Sequence, residues 1–192
     1  MIDKNFDVVV YGATGFTGKL VVEYMQKMYG NDTEISWAIA GRSSEKLTSV
    51  SGELGVGSDV PHLIVDSNDS DSITKMVQQT KCVLTTVGPY QLYGENILQQ
   101  CVTHGTDYVD LCGEPGWMHE MINAYSDQAK EKGARIVFSC GFDSIPFDLG
   151  VYFLQKEVIA QHGQPASNVR GRVRAMNGEF SGGTAASLGA TM

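Results

Sequence analysis

The stretch Val8–Gly18 reads VVVYGATGFTG, a run of β-branched residues followed by glycines at positions 12, 15 and 18. β-branched residues favour a strand, whereas glycine permits sharp turns and close approach of the backbone to a ligand. The spacing G-x-x-G-x-x-G is a variant of the dinucleotide fingerprint G-x-G-x-x-G, and it lies between a predicted strand and a predicted helix. We therefore interpret it as a phosphate-binding loop; the alternative is that the glycines serve only a tight connection.

Each part of this loop has a predicted role. Gly12 makes the turn off the strand, Gly15 lets the backbone approach a pyrophosphate, and Gly18 allows the helix to pack closely on the sheet. The N–H groups at the helix start and the positive end of its dipole suit phosphates. The predicted cofactor-binding residues of the loop are Gly12, Thr14, Gly15, Phe16, Thr17 and Gly18.

The rest of the chain alternates short apolar runs with helical periodicity. Predicted strands lie near 6–11, 36–40, 62–65, 82–87, 108–111 and 135–139, and predicted helices near 16–29, 44–53, 70–79, 95–104, 118–132 and 146–160. Apolar strands separated by helices indicate a parallel sheet covered on both faces. The predicted fold class is therefore α/β, a doubly wound Rossmann sheet in the order 3-2-1-4-5-6.

The pattern changes after Gly163. Residues 169–175 alternate small or apolar residues with three arginines, which predicts a strand with one solvated face; the alternative is an anion-binding role for the arginines. Thr184 fits an N-cap, but the chain stops at Met192 with no C-cap signal. We expect a Rossmann domain over 1–163 and the truncated start of a second α/β domain over 164–192.

The end of the second predicted strand distinguishes NADP from NAD. An NAD enzyme usually carries a carboxylate there to hold the ribose 2′-hydroxyl. This chain has Ala40-Gly41-Arg42-Ser43-Ser44 instead. The guanidinium of Arg42 suits a 2′-phosphate, and Ser43 either assists it or caps the next helix. The predicted cofactor is NADP.

Further residues follow the other strand ends, where ligands bind in such sheets. Asp66 either contacts adenine or forms a turn, and Gly88 and Pro89 allow close passage of the cofactor. Hydride transfer often needs a nearby acid, and the candidates are Tyr90, Glu114 and Asp143. Each has a structural alternative: Tyr90 as a lid or packing residue, Glu114 as a helix cap, and Asp143 as a turn residue before Pro146.

Composition excludes several classes of protein. A net charge of −8 in 192 residues argues against nucleic-acid binding. No apolar run is long enough to cross a bilayer, and charged residues at the start argue against a signal peptide. The four cysteines and four histidines show no metal-binding spacing, so we expect reduced thiols and no metal.

Five segments together resemble the saccharopine dehydrogenase-like oxidoreductase family. They are GATGFTG (12–18), AGRS (40–43), VGPYQLYG (87–94), YVDLCGE (108–114) and CGFDSIPFDLG (140–150). The resemblance is strongest to the animal saccharopine dehydrogenase-like oxidoreductases and the bacterial trans-acting enoyl reductases. It implies an NADP-binding Rossmann domain followed by a larger C-terminal α/β domain, with Gly12, Gly15, Gly18 and Arg42 as cofactor contacts.

The same resemblance implies hydride transfer between NADP(H) and an organic substrate, either an imine of an amino acid or a lipid-linked enoyl group. It also implies an intracellular protein, cytoplasmic or associated with mitochondria or lipid droplets, with a homodimer as one possible assembly. The alternative function is a non-catalytic NADP(H) sensor or interaction protein that keeps the Rossmann domain for binding.

Overall fold

The computed structural model describes residues 4–177 apart from 31 and 33, together with 182, 183, 186 and 189. Strands and helices alternate along the described chain. Their bounds are β1 Phe6–Tyr11, α1 Phe16–Tyr29, β2 Trp37–Gly41, α2 Ser44–Leu54, β3 His62–Ile64, α3 Ser70–Gln78, β4 Thr80–Thr85, α4 Tyr90–His104, β5 Asp107–Asp110, α5 Pro115–Lys132, β6 Ile136–Val137 and α6 Ile145–His162.

All described strand pairs are parallel, and the sheet order is β3-β2-β1-β4-β5-β6. This confirms the predicted doubly wound fold. β1 is central: Val9 pairs with Ala38 of β2 on one side and with Val83 of β4 on the other. The chain therefore changes direction across the sheet between β1 and β4, and a crevice forms at their carboxyl ends.

Alternating side chains of the sheet belong to two separate cores. Val9 lies in a core with the buried residues of α3, α4 and α5, and Val10 lies in a core with those of α1 and α2. Both valines are fully buried. The β-branched run that precedes the glycines thus anchors the loop to helices on both faces, because successive side chains of a strand point to opposite faces.

Side-chain caps fix the starts of two helices. The hydroxyl of Ser43 accepts a hydrogen bond from the N–H of Lys46 at 3.3 Å, at the start of α2. The carboxylate of Asp69 accepts one from the N–H of Asp71 at 3.1 Å, at the start of α3. The prediction that Ser43 caps the helix after β2 is therefore confirmed.

α6 differs from the other described helices because none of its described residues is buried. Tyr152 and Phe153 are 62% and 66% exposed, although the helix is rich in apolar residues. The side chain of Gln155 exchanges two hydrogen bonds with the backbone of Ala166, at 2.9 and 2.8 Å, so the following segment turns back beside the helix. Within the described residues, no helix combines the length and apolar character needed to span a bilayer.

The predicted strand over 169–175 is wrong. The structure has irregular backbone there, since no described strand lies alongside to bond with its N–H and C=O groups. The predicted N-cap Thr184 lies outside the described residues.

Candidate dinucleotide-binding site

A cleft of about 320 Å³ opens at the carboxyl ends of β1, β2 and β4. It lies where a doubly wound sheet binds its ligand. The described residues that line it come from the glycine loop, the end of β2, the turn after β3 and the segment after β4: Tyr11, Gly12, Thr14, Gly15, Phe16, Thr17, Gly18, Gly41, Arg42, Ser67, Thr86, Val87, Gly88 and Tyr93, with Gly183 from the far end of the chain.

Gly12 is the point where two walls of the cleft touch. Its φ is +91°, a conformation that side chains disfavour. A Cβ atom at this position would lie 2.6 Å from Oγ1 of Thr86 and 2.8 Å from Cγ2 of Val87. The loop after β1 therefore passes the segment after β4 at a distance that only glycine permits.

Gly15 and Gly18 shape the start of α1. Gly15 is the N-cap, and its N–H donates to the carbonyl of Gly12 at 3.0 Å. A Cβ on Gly18 would overlap that same carbonyl oxygen, so helix and loop are in backbone contact. Within the described chain, α1 has neither a side-chain cap nor an acidic residue in its first turn. The positive end of the α1 dipole is therefore not offset by a side chain of the helix. Because residues 15–18 line the cleft, this end faces the cleft, which fits a pyrophosphate.

The β2 side of the cleft carries a cation. Arg42 is exposed directly after Gly41, with the start of α2 beside it. Asp66, after β3, does not line the cleft; its Oδ1 accepts the N–H of Asn68 at 2.9 Å, which is the turn-forming alternative. Its neighbour Ser67 lines the cleft instead. This side suits the adenosine end of a dinucleotide that carries a 2′-phosphate.

Tyr90 lies in the core beneath the β4 side of the cleft. Its hydroxyl donates to the carbonyl of Thr85 at 3.3 Å and accepts from the N–H of Leu111 at 3.4 Å. Its ring centroid is 5.8 Å from that of Trp117, and burial raises the pKa of its hydroxyl well above the usual value. The aromatic ring that lines the cleft belongs to Tyr93.

Glu114 and Asp143 do not line the cleft either. Glu114 is 3% exposed, and its two carboxylate oxygens accept the N–H groups of Tyr90 at 2.9 Å and Gln91 at 2.8 Å. It therefore caps α4 rather than the helix that follows it. Asp143 is exposed, and a Cβ on Gly141 would lie 3.4 Å from its Oδ1.

A buried carboxylate that the sequence reasoning missed ties β5 to the segment after β6. Asp110 accepts hydrogen bonds from the hydroxyl of Tyr108 at 2.8 Å and from the N–H groups of Cys112 at 3.0 Å and Ser139 at 2.8 Å. Burial raises the pKa of Asp110. The sequence feature that could have indicated Asp110 is its position at the carboxyl end of β5, within the motif YVDLCGE.

Other missed residues of the cleft are Tyr11, Gly41, Ser67, Thr86 and Val87, all at or near strand ends. Burial raises the pKa of Tyr11 to about 12, and its hydroxyl interacts with Ser67. Its place as the last residue of β1 was the available signal. Among the described residues no group of His, Cys, Asp or Glu forms a metal-binding cluster.

A parallel sheet with this order, a glycine loop at its central strand and a cationic β2 end define a Rossmann domain for a dinucleotide with a 2′-phosphate. Residues 8–137 match the family model described as the saccharopine dehydrogenase NADP binding domain. The chain belongs to that family, and its cofactor is NADP.

Three known proteins are similar to the chain, two in sequence and one in fold. A putative trans-acting enoyl reductase of Mycobacterium tuberculosis is 42% identical over 96% of this chain and 44% of its own length. A lipid droplet localized protein of Caenorhabditis elegans is 46% identical over 80% of this chain and 37% of its own. The apo saccharopine dehydrogenase (L-Glu forming) of Saccharomyces cerevisiae shares the fold, with a TM-score of 0.64 and 16% identity over 82% of this chain and 32% of its own. The chain thus spans less than half the length of these relatives.

Proposed function

We propose that the chain is the NADP-binding part of an oxidoreductase that transfers a hydride between NADP(H) and a lipid-linked enoyl group. The observation that carries the proposal is the 42% identity, over 96% of the chain, to a protein named as a putative trans-acting enoyl reductase. Reduction of an amino-acid imine is the other substrate class, but the saccharopine dehydrogenase that suggests it shares only 16% identity. Bound NADPH supplies the hydride, and this chain holds and orients the cofactor.

We propose that the loop residues 12 and 14–18 hold the pyrophosphate and that Arg42 binds the 2′-phosphate. Gly88 lines the β4 side of the cleft, and Pro89 follows it as the N-cap of α4. Ser43 and Asp66 would act indirectly, because their side chains accept backbone N–H groups, from Lys46 and Asn68 respectively.

The role of Arg42 is tested by titrating the chain with NADPH and NADH in a calorimeter. We expect tighter binding of NADPH, because a charge-assisted contact with the guanidinium stabilises the 2′-phosphate by about 1.5–3 kcal/mol. Arg42→Asp should remove or reverse the preference. Arg172→Asp, the same change of charge at an exposed residue that does not line the cleft, is the control. Equal affinity of the unaltered chain for both cofactors would contradict the assignment of Arg42.

The substrate proposal is tested by following NADPH consumption in the presence of an enoyl thioester and, separately, of an aldehyde with glutamate. Turnover of the thioester alone supports the enoyl reductase. A non-catalytic NADP(H) sensor is the alternative, and it is favoured by one observation: the candidate acids Tyr90, Glu114 and Asp143 do not line the cleft. Cofactor binding with no turnover of either substrate, in a protein of the relatives' length, would support the sensor.

We further propose that 1–163 is the dinucleotide-binding domain and that 164–192 begins a substrate or dimerisation domain. This is supported by the exposed apolar side chains of α6 and by the greater length of the relatives. A helix that is apolar on all sides is usually buried on all sides. Hydrogen exchange on this chain should show weak protection of α6 in comparison with β1 and β4, and strong protection of α6 would contradict the proposed domain organisation.

The name of the Caenorhabditis elegans relative supports the proposal of an intracellular, lipid-droplet-associated protein.

A further inference from the structure

Glu114 is a buried carboxylate between two loops, and it lies outside the cleft. It comes just before α5, yet within the described residues its side chain makes no capping hydrogen bond to that helix. Its oxygens instead accept the first two N–H groups of α4, one oxygen each, from Tyr90 and Gln91. These N–H groups have no partner within their own helix, so a side chain from elsewhere satisfies them.

The helix that Glu114 caps continues directly from the β4 wall of the cleft. Thr86, Val87 and Gly88 form that wall, Pro89 follows, and α4 begins at Tyr90. At its other end the wall is held by Thr86, whose N–H donates to the carbonyl of Tyr11 at 2.9 Å and whose hydroxyl donates to that of Gly12 at 3.2 Å. The wall is therefore fixed at both ends, by the glycine loop on one side and by Glu114 on the other.

The two sides of the cleft would receive different halves of the cofactor. In a doubly wound sheet a dinucleotide binds across the point where the strand order reverses, with its pyrophosphate at the glycine loop after β1. With Arg42 as the proposed contact of the 2′-phosphate, the β2 side would hold the adenosine half. The wall from Thr86 to Gly88, on the β4 side, would then face the nicotinamide half.

We propose that Glu114 is a positioning residue that sets the affinity for the nicotinamide half of NADP by holding the start of α4. It is not the proton donor, because both of its oxygens accept backbone N–H groups and it does not line the cleft. The carboxylate also satisfies the positive end of the α4 dipole, so the start of α4 does not compete with the uncapped start of α1 for a cofactor phosphate. The inference rests on the NADP site and is independent of the enoyl substrate.

The test is calorimetric titration of the chain with NADPH and with adenosine 2′,5′-bisphosphate, which carries the adenosine and the 2′-phosphate but no nicotinamide. Glu114→Gln keeps the size of the side chain but turns an amide N–H₂ toward one of the two backbone N–H groups. We expect NADPH to bind about tenfold more weakly and the bisphosphate to bind within about twofold of the unaltered chain. Glu120→Gln, at an exposed position of α5, should change neither affinity.

General destabilisation would lower both affinities together, because the folded fraction is common to the two ligands. Equal weakening of both ligands, or no weakening of NADPH in a folded Glu114→Gln chain, would overturn the proposal. If Glu114→Gln does not fold, Glu114→Asp applies the same test with the charge kept and one methylene removed. The bisphosphate affinity of the unaltered chain tests the NADP site itself, so failure of the site and failure of the Glu114 role give different results.

Discussion

Substituting Gly12 by alanine tests the contact between the two walls of the cleft. The φ of +91° would be retained by a residue with a Cβ, which costs about 1–3 kcal/mol. The new methyl group would lie 2.6 Å from Oγ1 of Thr86 and 2.8 Å from Cγ2 of Val87, and overpacking of this kind costs about 1–3 kcal/mol more. We therefore expect the free energy of unfolding to fall by about 2–6 kcal/mol, from a total on the order of 10 kcal/mol.

Urea denaturation monitored by tryptophan fluorescence measures this change, because Trp37 and Trp117 are buried in the two different cores. Gly52→Ala is the matched control. Gly52 lies inside α2, and a Cβ there would have no described atom within 4 Å. Alanine should stabilise that helix by up to about 1 kcal/mol. A Gly12→Ala chain within about 0.5 kcal/mol of the unaltered one would refute the contact between the walls.

Three further changes test separate features of the structure. Gly94→Ala should lower the free energy of unfolding by about 1–3 kcal/mol in urea denaturation, because its Cβ would lie 2.6 Å from Cζ2 of Trp117; an unchanged value would contradict that packing. The hydrogen bond from Lys81 lowers the pKa of Asp7 to about 2, so the stability it contributes is present above pH 4 and is lost as the pH falls toward 2. Asp7→Asn should therefore flatten the stability profile over that range, and parallel profiles would contradict the ion pair. Gly15→Val should abolish NADPH binding in calorimetry, because the side chain would fill the space proposed for the pyrophosphate. Circular dichroism should stay native, because a Cβ on Gly15 would lie 3.4 Å from the carbonyl oxygen of Gly12 and would not overlap it as a Cβ on Gly18 would.

Elements with a local signal could be predicted from the sequence almost to the residue. The prediction of β1 and α1 is confirmed at every boundary, because β-branched residues, glycines and helical periodicity are all properties of adjacent positions. α4 begins at Tyr90, whereas Glu95 was the predicted start. The carboxylate that caps α4 belongs to Glu114, 24 positions further along the chain, so no local sequence pattern could predict where α4 begins. The predicted strand over 169–175 failed for the related reason that a strand needs a partner.

The candidate site divides in the same way. That the glycine loop and Arg42 line the cleft was predictable, because both are recognised from consecutive residues at a strand end. Their roles in binding the cofactor stay predictions. The position of Tyr90 was not, since an aromatic residue after a strand can face the cofactor or the core. Its burial depends on Trp117, which can approach α4 closely because residue 94 is glycine. The sequence places such residues at the correct edge of the sheet, but contacts between distant segments decide which of them line the cleft.

Several helices begin at the carboxyl edge of this sheet, and each start is positive and attracts anions. Three of the starts are occupied by the protein's own oxygens, from Ser43 at α2, Asp69 at α3 and Glu114 at α4. α1 has no side-chain cap among the described residues, and its N-cap is Gly15. Among these four helices, the start of α1 is therefore the one left to attract an anion, and it lies beside the glycine loop that lines the cleft. The caps of α2, α3 and α4 therefore agree with the proposal that the cofactor phosphates bind at the start of α1.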